Sequence, residues 1–119
     1  MDEELIFKTT DPRGYTVVMT KEQYEGHILA GHKEMSNHDD IRQCIERPDY
    51  IFQSRDFSSR EVYFSKTSSY APPLYVTTVV ETNGCGVYDG RVVTSHLRKE
   101  IKGDIVLSSE GILYDKHKA

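Results

Sequence analysis

The chain has 119 residues, 37% of them hydrophobic and 29% charged, and a formal net charge of −4. This suits one soluble domain spanning residues 1–119, and no apolar run approaches the ~20 residues of a membrane span. The acidic balance argues against a generic nucleic-acid binder but leaves a local basic cleft open, because net charge and local potential are different quantities.

Two cysteines, Cys44 and Cys85, make neither a disulfide framework nor a CxxC metal knuckle. The opening MDEELIF is acidic where a secretory signal would be basic. The expectation is a cytoplasmic protein, or one carried across a membrane by other means.

Residues 5–8 and 15–19 read as short strands around the turn-forming DPRG. TKEQ then gives a capping box, with Thr20 as N-cap and Gln23 reaching back to its backbone N–H. That helix runs to about His32. A second helix starts from Asn37 as N-cap, with Asp39 and Asp40 at the positive end of its dipole. Its apolar stripe is Ile41, Cys44 and Ile45; Arg47 occupies the last turn and Pro48 stops it.

From Tyr50 the pattern becomes strands: YIFQS, EVYFSK, LYVTTVVE and RVVTSHLR, rich in β-branched and aromatic residues. SRDFSSR and TSSYAPP read as loops. NGCGVYDG carries two hairpin signals, Asn83-Gly84 and Asp89-Gly90, without deciding between them. One more short strand lies near GILYD. Helices first and hairpin-linked strands after predict an α+β domain, with two N-terminal helices packed on one face of an antiparallel sheet of four or five strands.

On the first helix, at about 100° per residue, Tyr24, Ile28 and Gly31 share a face, with His27 on one edge and His32 on the other, about 140° apart. That separation does not suit one metal ion, which needs i,i+3 or i,i+4 pairs. Each imidazole is either a hydrogen-bonded boundary residue or an acid–base group. Gly31 either lets the helix approach the sheet or ends it. In RVVTSHLRK, alternation sends Thr94, His96 and Arg98 to one face and Ser95 and Leu97 to the other. SREVYF adds Arg60 at the start of a strand and Tyr63 opposite Val62 and Phe64. Singly these residues read as structural; as a set they are the imidazoles, guanidinium and hydroxyls needed to handle a phosphodiester.

Taken in order, HILAGHKEM, DDIRQCIERPDYIFQS, REVYF and VVTS resemble the phage- and toxin-associated nuclease domains grouped with barnase, EndoU, the colicin-type tRNA nucleases and RelE, the BECR fold. Those domains carry a helix with HI…HPE, a second helix leading to P.yI..S, an R.YY-like strand and a last hairpin ending V.TA. The resemblance covers about residues 20–100. It implies a metal-independent endoribonuclease, without cofactor, acting on RNA such as tRNA or rRNA, with an immunity or antitoxin protein as a candidate partner.

Carried over residue by residue, the matching positions are His27 and His32, Arg60 and Tyr63, and Thr94 and Ser95. Lys33 stands where the family has proline, and Ser95-His96 replaces a small residue followed by an aromatic one, so His96 competes with His27 as the second acid–base group beside His32. Arg60 would clamp phosphate, Tyr63, Thr94 and Ser95 would donate hydrogen bonds, and Arg91, Arg98, Lys99 and Lys102 would supply the basic groove. Two other readings stand beside this one: an inactive RNA- or protein-binding module of the same fold, and a phage-morphogenesis domain marked by an exposed apolar patch.

Overall fold

A computed structural model describes residues 3–67 and 72–118. Its elements run β1 (Leu5–Thr10), β2 (Thr16–Thr20), helix α1 (residues 21–31), a 3-10 turn (Lys33–Met35), α2 (His38–Glu46) and β3 (Tyr50–Gln53). There follow β4 (Arg60–Thr67), β5 (Leu74–Glu81), β6 (Gly90–Arg98), a second 3-10 turn (Ser109–Gly111) and β7 (Ile112–Asp115). The loop expected over TSSYAPP lies, at residues 68–71, outside the described residues.

The DPRG turn forms because the Asp11 carboxylate accepts from the backbone N–H groups of Arg13 (2.8 Å) and Tyr15 (3.1 Å), while Gly14 takes a φ of +90°. The same carboxylate is buried. It accepts from the Tyr63 hydroxyl at 2.7 Å and from Arg13, whose guanidinium also reaches Glu61 at 2.6 Å. One turn therefore ties the first hairpin to the middle of the sheet.

Helix α1 starts as its sequence dictates, with Thr20 Oγ1 accepting from the Gln23 N–H at 3.1 Å. The other half of the box differs: the Gln23 side chain donates to the Val93 carbonyl on β6, not to Thr20. A neighbouring strand's edge carbonyl takes the amide that a solvated helix start would have used. At Tyr24–Ile28 the helix widens to π geometry, the Leu29 N–H bonding to the Tyr24 carbonyl, and it ends at Gly31. A Cβ on Gly31 would meet nothing within 4 Å, so this glycine ends the helix and is not a close approach to the sheet. Helix α2 is capped by Asn37, which accepts from the Asp39 N–H, and it buries Ile41, Cys44 and Ile45.

The sheet has seven strands in the order β1-β2-β6-β5-β4-β3-β7, all neighbours antiparallel except β2 and β6. The four or five antiparallel strands expected from sequence are thus extended and made mixed. β2 pairs with the start of β6 in parallel, Val17 with Gly90 and Val18 with Arg91, and β7 pairs with the far edge of β3. β5 and β6 are joined by residues 82–89, so neither Asn83-Gly84 nor Asp89-Gly90 makes a two-residue hairpin. The turn within this loop is closed by the Tyr88 N–H on the Cys85 carbonyl. Gly90 belongs to β6, where a Cβ would come 2.6 Å from Val80 Cγ1.

Both helices lie on one face. There Ile28, Met35, Ile41 and Ile45 pack with Met19, Tyr63, Val76 and Val80. On the opposite face Phe52, Val62, Phe64, Val79 and Ile105 form a second cluster, against which Ile101 and Ile112 pack. The segment after β6 therefore crosses this second face. Among the described residues no helix is long and apolar enough to cross a membrane.

Tyr63 is 1% exposed, and its hydroxyl is spent on a buried carboxylate. Tyr63→Phe should cost about 1–3 kcal/mol of stability in urea unfolding, the range for losing a buried hydrogen bond to a charged group.

Candidate functional site

The parallel ladder between β2 and β6 stops at Arg91, so β6 beyond it has no strand on that side. The π segment of α1 and the turn at Lys33–Met35 pack there instead. This placement brings His32, just past the helix end, against His96 of β6. Their ring centroids are 5.1 Å apart and the planes tilted by 31°.

Alternation on β6 follows the sequence pattern. Thr94, His96 and Arg98 pair with Val79, Thr77 and Tyr75 and share the face of the second cluster, while Leu97 packs with the helix-side core. Ser95 also points to the helix side, fully buried, and its hydroxyl bonds to Thr78 at 3.1 Å.

His96 is half-buried, and its Nε2 accepts from Arg98 Nε at 2.6 Å. The ring is therefore held as the tautomer with its proton on Nδ1, a buried atom without a hydrogen-bond partner among the described residues. Burial first, then the charges of Arg98 and His32, push its pKa down to about 4. Arg98 in turn donates from Nη1 to the Lys102 carbonyl at 2.9 Å and to Asp104 at 3.1 Å. His32 Nδ1 lies 3.6 Å from a Glu34 carboxylate oxygen. Beside Arg98 opens a cleft of about 410 Å³ lined by Arg98, Lys99, Glu100, Lys102 and Gly103. Among the described residues no three His, Cys, Asp or Glu side chains gather as a metal-ligand set.

The residues singled out from the sequence divide accordingly. His32, His96 and Arg98 meet; Thr94 lies on the same face, two residues along β6; Lys99 lines the cleft. Tyr63 and Ser95 belong to the helix side, so the sheet separates their hydroxyls from His96. His27 is exposed on α1, and none of the hydrogen bonds, ion pairs or ring contacts among the described residues includes it. Arg60 shares the face of His96 but stands four residues along and two strands across, roughly 13 Å and 10 Å. There it pairs with Glu81 at 3.2 Å and lies over Phe57, 4.1 Å from the ring centroid. Arg91 pairs with Glu3. Phe57 is exposed on a loop whose Ser54, Phe57, Ser58 and Arg60 carbonyls all accept from the Gln53 side-chain amide.

Sequence reasoning did not find Asp104 or Glu34, the carboxylates that face Arg98 and His32. A lone acid in a polar turn carries no periodic signal, and only the fold brings it to a partner. None of the family models, curated proteins or solved structures compared with this chain matches it.

In the unfolded chain a histidine titrates near ~6.5. Between that value and about 4 the unfolded state holds a proton that folded His96 lacks, so stability falls as pH drops through this window. Two measurements check this. The His96 ring resonance should titrate by NMR with a midpoint near 4. His96→Asn should flatten the loss of urea resistance between neutral pH and that midpoint.

Proposed function

We propose that the protein is a metal-independent endoribonuclease that cleaves RNA by attack of a 2′-OH on the adjacent phosphate. The observation that carries the reading is the pair of imidazoles, His32 and His96, in ring contact at the open edge of β6 beside the Arg98 guanidinium. The resemblance of the helix, strand and VVTS blocks to BECR nucleases supports it.

The chemistry needs a base for the 2′-OH proton, an acid for the departing 5′-oxygen and donors for the non-bridging oxygens. His96 is assigned the base, since its surroundings hold it neutral, and His32 the acid. A phosphate drawn to Arg98 would turn the guanidinium from His96 Nε2 and leave that lone pair open to the 2′-OH. The O2′–P bond then forms as the P–O5′ bond breaks. His32 hands its proton to the 5′-oxygen, leaving a 2′,3′-cyclic phosphate and a 5′-hydroxyl. The anion would also raise the basicity of His96, whose lowering stems partly from cations.

Arg98 takes the clamping role expected of Arg60, because a guanidinium forks onto two oxygens and Arg98 is the one at the imidazoles. Thr94 remains a candidate hydroxyl donor, and Lys99 and Lys102 candidate backbone contacts. Arg60, backed by Phe57, is assigned to holding RNA away from the cut.

The test is digestion of total tRNA and rRNA with end-group analysis. Cleavage should persist in EDTA, yield cyclic phosphate or 3′-phosphate ends, and fail on RNA lacking the attacking 2′-OH. His32→Ala and His96→Ala should each lower the rate by roughly 10²–10⁴-fold, the usual worth of one acid–base group, while His27→Ala should not. Wild-type rates in both variants, or a requirement for magnesium, would sink this mechanism. RNA binding without cleavage would move the protein to the binding-module reading.

A further inference from the structure

Arg98 has five N–H donors, and three of its bonds are made inside the chain: Nε to His96, and Nη1 to the Lys102 carbonyl and to Asp104. Asp104 therefore takes an Nη1 donor that a phosphate would use. Two geometric facts bear on how this contact can open. The Asp104 backbone is anchored, its carbonyl accepting from the Arg55 N–H at 2.8 Å, and its neighbour Ile105 is 3% exposed within the second core cluster and bridged to Ser54. The Asp104 side chain is different: it is 40% exposed and is held by Arg98, a residue that lines the cleft. A rotation of that side chain releases one Nη1 contact without moving the backbone and leaves the bonds to the Lys102 carbonyl and His96 in place.

We propose that Asp104 is a built-in stand-in for substrate phosphate: it holds Arg98 in the free protein and is displaced when an RNA phosphate enters the cleft. The inference rests on the ribonuclease reading for the identity of the anion. Charge alone does not describe it, because the cleft is itself lined by another carboxylate, Glu100. Glu100 carries the same charge but pairs with Lys102 at 3.1 Å, not with Arg98. Neutralising either acid removes one negative charge beside Arg98 or Lys102, yet only Asp104 competes for an Arg98 donor. Displacement also has a chemical result: the guanidinium that turns to phosphate is the one that blocks His96 Nε2, so occupancy of the cleft and release of the base are one event.

The experiment measures binding of a fluorescent 2′-O-methyl oligoribonucleotide, which cannot be cut, by anisotropy. Asp104→Asn should bind it roughly 3- to 5-fold more tightly than wild type, the scale of a partly exposed ion pair. Glu100→Gln should gain less than about twofold, as expected for a screened surface charge. Asp104→Glu, which keeps the carboxylate, should bind like wild type and guards against an effect of mere loosening. In an Arg98→Gln background the advantage of Asp104→Asn over Glu100→Gln should vanish. Equal gains from the two neutralisations, or weaker binding by Asp104→Asn, would overturn the stand-in role and would mean that Asp104 orients Arg98 for its ligand. Failure of every form to bind the probe overturns it as well. Digestion of RNA by the same proteins separates the two readings: cutting by wild type without tighter binding by Asp104→Asn removes only the stand-in, and tighter binding without cutting by any form removes only the nuclease.

Discussion

The parallel pairing of β2 with β6 is two residues long, and the candidate site exists because it stops there. A longer ladder would have put a strand of β2 where His32 now meets His96. Instead the chain leaves β2 at Thr20, caps a helix at once, and runs that helix past the open edge of β6. The edge is a liability in any sheet, since its backbone groups invite another strand. Here the helix covers it, and the Gln23 amide satisfies the Val93 carbonyl directly. Closing an edge and placing an imidazole are thus one structural act.

Most cations of the region are already answered by a carboxylate, Lys99 of the cleft being without one among the described residues. Arg98 faces Asp104, Arg60 faces Glu81, Lys102 faces Glu100 and Arg91 faces Glu3. With a net charge of −4 there is no surplus field to draw a polyanion from afar. On the proposed ribonuclease reading, affinity would come from exchange at short range, one carboxylate giving way to one phosphate, and such contacts select by geometry more than by charge. Burial of His96 works in the same direction, keeping the ring uncharged beside a guanidinium it would otherwise repel.

Elements whose signals are local were legible in the sequence: the Thr20 and Asn37 caps, the Ile41–Cys44–Ile45 stripe, and the alternation that sends His96 and Arg98 to one face of β6. What was not legible depends on which strands become neighbours. The two-residue ladder of β2 on β6 has no sequence signature, and without it the first hairpin cannot be assigned to the sheet. Tyr63 looked like a site hydroxyl because strand alternation gives opposite faces but not which face is the site; the buried Asp11 carboxylate claims it for the fold. Arg60 and His96 share one face of the sheet. Their separation along it follows from cross-strand register, which a single chain read end to end does not display.

The loop between β3 and β4 is organised around one atom. Four carbonyls, from Ser54, Phe57, Ser58 and Arg60, converge on Gln53 Nε2, which has only two hydrogens to share among them. A loop built this way has a fixed length: an added or deleted residue would carry at least one carbonyl out of range and let the rest follow. The linker at 82–89 is tied at separate points instead: the Glu81 carboxylate accepts from the Thr82 and Asn83 N–H groups, Thr82 bonds to the Ser59 carbonyl, and the Asp89 N–H bonds to the Thr16 carbonyl. Insertion within 54–60 would therefore unseat Phe57 together with the Gln53 centre.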